Sequence, residues 1–241
     1  LQIVSNEVSE LIIDTIEEHG GHYSSPLGVV DLTVALHYCY DSPNDKLVWD
    51  VGHQAYAHKI LTGRRDSFKT LRQKDGISGF LKRSESVHDA IGAGHSTTSI
   101  SSALGIAHAR DYNNKDFNVV SIIGDGAMTG GMAYEAMNNL GFHRTQQTII
   151  LNDNSKSISA SVGALSKYLS KIITNPTYNK IRSDIWDISG KIPVVSDTIR
   201  KFLKKSEEGI KGFLTPGILF EELGIRYCLL YTSPSPRDQL Q

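Results

Sequence analysis

Apolar positions recur at three- and four-residue steps from the first residues onward. Val4, Val8, Leu11, Ile12 and Ile16 form one stripe, the period of an amphipathic helix. A second helix is expected to open at Ser25 and Pro26, as N-cap and first helical residue, and to run to about Tyr38. "DSPND" (Asp41 to Asp45) reads as a turn and "KLVWD" (Lys46 to Asp50) as a short strand. Gly94, His95 and Ser96 precede a helix rich in small residues that reaches about Arg110. Two nearly uninterrupted apolar runs follow, "VVSII" (Val119 to Ile123) and "TIILN" (Thr148 to Asn152), with a helical pattern between them. Strands apolar on both faces and joined through a helix predict an α/β fold, a parallel sheet covered by helices on both faces. After Ser155 the pattern is helix and loop, and Lys171 to Pro193 is too irregular to assign.

This topology makes the ends of the two runs informative. A right-handed crossover puts the carboxyl ends of parallel strands on one edge of the sheet, and ligands bind outside that edge. The first run leads into Gly124-Asp125-Gly126 and the second into "LNDNSKSIS" (Leu151 to Ser159), so Asp125 should lie close to the Asn152–Asn154 cluster. A carboxylate, an amide oxygen and a backbone carbonyl are hard oxygen ligands suited to Mg²⁺ or Ca²⁺. An acid in a phosphate-type turn then has a purpose: Asp125 holds a metal, and the metal holds phosphates. The amides of Gly126 and Ala127, expected near the start of the next helix, can donate to the same anion.

Composition narrows the partners. The 241 residues are 39% hydrophobic, enough for one large or two small cores. A net charge of −1 points to no nucleic-acid partner and no anionic membrane, and no apolar run approaches the ~20 residues of a membrane span. Cys39 and Cys228 have no metal or disulfide spacing, so a reducing compartment is the default. The chain begins inside a helical pattern, so the front of its domain is expected to be missing. From Cys228 to Gln241 it changes character to "CLLYTSPSPRDQLQ", which resembles a translated sequencing adapter. Residues 1–227 are therefore read as one domain, incomplete at both ends, and 228–241 as a non-native tail set aside from fold reasoning.

Gly-Asp-Gly alone is a common turn, but here 27 residues separate Gly126 from Asn154 across a strand–helix–strand unit. With that spacing the chain resembles the thiamine diphosphate enzymes. "GGHYSS" (Gly20 to Ser25), "LTVALHY" (Leu32 to Tyr38), "WDVGHQAYAHKILTGR" (Trp49 to Arg64), "GHSTTSIS" (Gly94 to Ser101), "LNDNSKSIS" and "LFEELG" (Leu219 to Gly224) narrow the resemblance. Together they are similar to the 1-deoxy-D-xylulose-5-phosphate synthase family, over about Leu11 to Tyr227, and transketolase motifs fit less well around Trp49 to Arg64.

The resemblance implies a thiamine diphosphate-binding fold and a transferase that joins pyruvate and glyceraldehyde 3-phosphate with loss of CO₂, opening non-mevalonate isoprenoid synthesis. It implies thiamine diphosphate and Mg²⁺ as cofactors, with Asp125 and Asn154 on the metal and a third contact through the backbone carbonyl of Lys156. Lys156 stands where the family commonly has methionine, and Pro26 where a glycine is more usual. His53 would contact the cofactor near its reactive end, Gly94, His95 and Ser96 would line its site, and Gly126, Ala127 and Asn154 would meet the diphosphate. His22 would act at the substrate end, where a histidine suits proton transfer because its pKa lies near working pH. The family's activating glutamate belongs to a C-terminal domain beyond this chain, so the isolated chain is expected to be inactive. A homodimer in the full-length protein and a bacterial-type cytoplasmic location follow from the same resemblance, a lost targeting peptide aside. The alternatives are a non-catalytic diphosphate- and Mg²⁺-binding module or a transketolase-type domain.

Blander assignments cover other residues. His53 and His58 lack a third ligand at zinc spacing, and His19, His37, His88, His108 and His143 read as surface or packing residues. Met128, Met132 and Met137 are spaced as a helix face in the core. Gly130-Gly131 leaves open a helix irregularity or a close cofactor approach.

Overall fold

The computed structural model describes residues 1–152 and 218–228. The chain packs as two compact units, residues 1–154 with 230–241 and residues 155–229. In the first, helix α1 (Gln2–His19) is followed by α2 (Ser24–Leu27), α3 (Val30–Cys39) and strand β1 (Lys46–Trp49). Helix α4 (Tyr56–Lys59) continues as a wide turn over Ile60–Arg64, and a long loop leads to α5 (Ser99–Tyr112). Strand β2 (Val119–Gly124), α6 (Gly131–His143) and β3 (Thr148–Asn152) complete it. The described part of the second unit holds α7 (Ile218–Glu222), where the rings of Phe220 and Tyr227 stack at 5.3 Å. Among the described residues no helix is long and apolar enough to cross a membrane.

The sheet is parallel, in the order β1-β2-β3. Alternate side chains serve its two faces, as the period of a strand requires. Leu47, Trp49, Val120 and Ile122 pack with Val29, Leu36 and Leu81 on one face. Val48 and Val119 pack with Ala103 and Ala107 on the other, where alanines four residues apart let α5 lie close to the strands. Beyond the first face, Val8, Ile12 and Ile16 of α1 join Val30, Val34, Tyr56, Phe68 and Leu71 in a further layer. Arg110, near the end of α5, donates to the carbonyls of Phe117 at 3.1 Å and Gln146 at 2.9 Å, tying that helix to the segments entering β2 and β3.

The α/β fold and its three strands agree with the apolar runs, and five details differ. The helix expected from Ser25 to Tyr38 is two helices starting at Ser24, because Val29 leaves helical geometry (φ −125°, ψ 11°) and its N–H closes a short bond to Pro26 O. Neither Ser25 nor any other side chain caps α2. Val4, expected on the buried stripe of α1, is exposed. Met128 and Met137 are buried, but Met132 is exposed and Met128 precedes α6, so the three methionines do not share a face. Strand β3 is only half-buried, its first residue exposed, so the covering on both faces holds for β1 and β2.

Candidate functional site

The strand ends meet as the crossover rule requires. Gly124 pairs with Asn152 in the β2–β3 register, and the Asp125 N–H donates to Asn152 O at 3.3 Å. The acid of the Gly-Asp-Gly turn therefore sits beside the start of the asparagine cluster. Asn154 and Lys156 lie outside the described residues, as does the tail from 229. Gly126 and Ala127 do not begin the long helix, because a short 3₁₀ turn over Ala127–Thr129 intervenes and α6 starts at Gly131.

Of the glycine pair, Gly130 is the one in close contact, while the Cβ position of Gly131 is open. A Cβ on Gly130 would fall 2.0 Å from Thr97 Cγ2, a full clash with the threonine that follows Gly94-His95-Ser96. The helix pattern is indeed interrupted here, between the 3₁₀ turn and α6, and the approach to Gly130 is by the protein's own loop. That loop is held from below by Asp50, fully buried at the end of β1: Thr97 N donates to its Oδ1 at 2.8 Å and Ser99 N to its Oδ2 at 2.9 Å. One carboxylate thus anchors the start of α5, which brings the exposed Gly94, His95 and Ser96 to the edge that bears Asp125. Asp50→Asn leaves an amide NH₂ facing one of these two N–H groups. It is expected to lower stability by about 2 kcal/mol, read from the urea midpoint at unchanged slope.

His53 follows Asp50 through two residues in left-handed conformations, Val51 (φ 58°) and Gly52 (φ 88°). A Cβ on Gly52 would come within 2.9 Å of Ala93 Cβ, so this turn needs glycine for space as well as for φ. The His53 ring lies edge-on to His22, centroids 5.2 Å apart, and His22 in turn meets Phe80 at 6.0 Å. The His22 N–H donates to the Tyr56 hydroxyl at 3.4 Å. Nδ1 of His22 and Nδ1 of His53 are both buried with no hydrogen-bond partner among the described residues. Burial lowers both pKa values; Arg72 adds to the effect at His22, and the neighbouring His22 adds to it at His53 while Asp50 opposes it. Both imidazoles are therefore held neutral at neutral pH, able to accept a proton. An open cavity of about 470 Å³, lined by Arg72, Gly76, Ser78, Phe80 and Lys82, adjoins this pair through Phe80.

Sequence reasoning missed the anchor Asp50, Arg72, Phe80 and a buried charged cluster behind them. Arg64 makes a two-pronged pair with Asp89, both contacts 2.8 Å, and the fully buried Lys59 pairs with Glu85. His58 sits within this cluster, not at a zinc site. Its Nδ1 is 2.9 Å from His37 Nε2, and its Nε2 is 3.4 Å from Asp89 Oδ1, close enough for attraction though not a well-aligned hydrogen bond. His37 and His88, assigned above to packing or the surface, border the same cluster, His37 through His58 and His88 within the field of Arg64 and Asp89; His88 Nδ1 lies 2.9 Å from Ser42 Oγ. Burial holds His37 down at about 4; burial pushes the Asp89 carboxyl up, but His58 and then Arg64 outweigh it and keep Asp89 ionised well below the usual carboxylate range. The missed signal was the density of charge in "HKILTGR" on a stretch that otherwise reads as buried.

Comparison with known proteins identifies the family of the chain. A family model described as 1-deoxy-D-xylulose-5-phosphate synthase matches residues 1–230. Curated relatives named 1-deoxy-D-xylulose-5-phosphate synthase include one from Caldanaerobacter subterraneus subsp. tengcongensis, 52% identical over 93% of this chain, and one from Alkaliphilus oremlandii, 52% identical over 94%. The chain spans 36% of the length of each of these relatives. Among solved structures, a transketolase from Campylobacter jejuni superposes with a TM-score of 0.61 at 25% identity, covering 68% of this chain and 30% of its own. A transketolase from Leishmania mexicana gives 0.59 at 22%, covering 69% of this chain and 30% of its own, and supports the fold. With residues 1–230 matched and the strand-end motifs in place, the chain belongs to the 1-deoxy-D-xylulose-5-phosphate synthase family.

Proposed function

We propose that this chain supplies the diphosphate- and metal-binding edge, and the proton-transfer histidines, of a transferase that joins pyruvate to glyceraldehyde 3-phosphate with loss of CO₂. The observation that carries the proposal is the edge-on pair of imidazoles His22 and His53, each with a buried Nδ1 that has no partner among the described residues, His53 following β1 on the sheet edge where Asp125 follows β2. Buried polar atoms without partners are costly and mark places where a polar ligand completes the structure. The donor set fits a diphosphate held through Mg²⁺: one carboxylate at Asp125, with Asn154 and the Lys156 carbonyl proposed as further oxygen ligands, leaves positions for phosphate oxygens and water. Gly126 and Ala127 flank the anion, and Gly94, His95 and Ser96 line the approach.

Thiamine diphosphate, when bound, supplies an electron sink for the carbon that loses CO₂. The chain's own residues do the rest on this side. His53 contacts the cofactor near its reactive end. His22, kept neutral by burial and by Arg72, accepts or returns a proton where the new carbon–carbon bond forms. Phe80 packs edge-on against its ring, and the Tyr56 hydroxyl holds its backbone N–H. Membership of the family, with motifs that fit it more closely than transketolase around Trp49 to Arg64, favours this substrate pair over a transketolase-type reaction.

The test is an assay of the full-length protein and of residues 1–241 alone, each given pyruvate, glyceraldehyde 3-phosphate, Mg²⁺ and thiamine diphosphate. Turnover on the order of 1 s⁻¹ or above is expected from the full-length protein, with CO₂ and deoxyxylulose phosphate in equal amounts. Residues 1–241 are expected to be silent, because the proposed activating glutamate belongs to the remainder of the protein. Full-length protein that turns over sugar phosphates but not pyruvate would sink the proposal in favour of the transketolase-type reading.

A further inference from the structure

We propose that Glu85 and Asp89 are positioning residues: clamped by Lys59 and Arg64, they fix the backbone of loop 78–82 so that Phe80 is laid against His22. The inference rests on the reading of His22 given above. Each carboxylate divides its oxygens between a buried cation and the loop. Glu85 binds Lys59 through Oε2, while Oε1 accepts the Ser78 N–H at 2.7 Å. Asp89 takes both prongs of Arg64, and its Oδ2 also accepts the Lys82 N–H at 3.0 Å. A 3.6 Å contact between Arg64 Nη1 and Glu85 Oε2 joins the two pairs.

The two loop bonds bracket Phe80. The intervening residues also touch the site: Gly79 packs on the Arg72 side chain, its would-be Cβ 3.1 Å from Cγ, and Leu81 N lies 3.4 Å from the Cβ position of Gly52, next to His53. Loop 78–82 contains no helix or strand, so its N–H groups depend on such side-chain acceptors. Both cations follow His53 on one stretch, α4 and the Ile60–Arg64 turn, so one segment carries a site histidine and the clamp for the loop above the other. Stability alone does not account for the arrangement. Burying three charges and most of a fourth costs several kcal/mol per ion, and packed apolar residues commonly do as well. What the charges add is a defined geometry.

The full-length protein, its Glu85→Gln variant and its Asp89→Asn variant test this by hydrogen exchange and by the pH dependence of kcat/KM. An amide at position 85 cannot serve both partners. Lys59 keeps the oxygen, and Ser78 N–H is left facing NH₂. Exchange in a peptide covering 77–83 should rise at least tenfold, while one covering 119–124 stays unchanged. With the loop displaced, His22 loses the cover of Phe80 and the charge of Arg72, keeping His53 and the Tyr56 hydroxyl as neighbours. The acid limb of kcat/KM should then move up toward 6.5, with thiamine diphosphate affinity held. Unchanged exchange at 77–83, an equal rise at 119–124, or faster exchange with an unmoved acid limb would overturn the proposal. Should neither variant fold, wild-type protein decides: amides of 77–83 protected about 100-fold over an unstructured peptide support the clamp, and unprotected ones refute it. If the full-length protein has no such activity, the functional reading fails, while the exchange data still report whether the clamp holds the loop.

Discussion

Asp125→Ala in the full-length protein is expected to remove the Mg²⁺-dependent part of thiamine diphosphate binding, a loss on the order of 100-fold or more, in a protein that still folds. Asp125 stands at the mouth of the β2–β3 edge, its backbone tied to Asn152 by a bond that alanine keeps. The side chain is half-buried on the turn after β2, so its removal opens no cavity in the core. The substitution leaves the proposed metal with amide and carbonyl oxygens only, so the cation is held too weakly at this edge to recruit the diphosphate. Calorimetry with Mg²⁺ and again with chelator separates the two contributions. Equal affinities for the mutant and the wild type in Mg²⁺ would remove Asp125 from the metal site.

His22→Ala should act on rate. A positioned general acid–base group contributes roughly 10²- to 10⁴-fold, and kcat of the full-length protein should fall within that range. Cofactor affinity should change less than about threefold, because the diphosphate is held at the other end of the site. Truncation at position 22 removes a ring that touches His53 and Phe80 but keeps the backbone N–H that meets Tyr56. A fall in kcat with KM for glyceraldehyde 3-phosphate nearly constant would mark a group used in the transition state. A rise in KM alone would reassign His22 to substrate binding.

How much of this was legible depended on whether the signal was local. The strands were, because β1 and β2 are buried on both faces and their apolar runs end where the ladder ends, at Trp49 and Gly124. The Gly124–Asn152 juxtaposition followed from chain topology, which needs no side-chain detail. His22 and His53 came from their motifs, and the structure brings them together across 31 residues of sequence through α4 and the loop to Phe80. The break at Val29 was not legible, because Gly28 and Val29 are tolerable inside a helix, and only the packing of Val29 and Val30 into different clusters decides it. The role of Gly130 required knowing that Thr97 arrives from another loop. The charged cluster was least visible. Lys59 and Arg64 meet Glu85 and Asp89 across more than twenty residues of irregular chain, and charges there read as solvated until burial shows otherwise. Those non-local choices are the ones that shape the surroundings of His22.

Whether a metal-bound diphosphate sits at the carboxyl edge of β2 and β3 is decided by a crystal structure of the full-length protein with thiamine diphosphate and Mn²⁺ in place of Mg²⁺. The expected result is a single strong anomalous peak within about 2.2 Å of an Asp125 carboxylate oxygen, in contact with the Asn154 amide oxygen and bridging to the diphosphate. An ordered diphosphate whose manganese lies away from Asp125, or that is held with no metal at that edge, would contradict it.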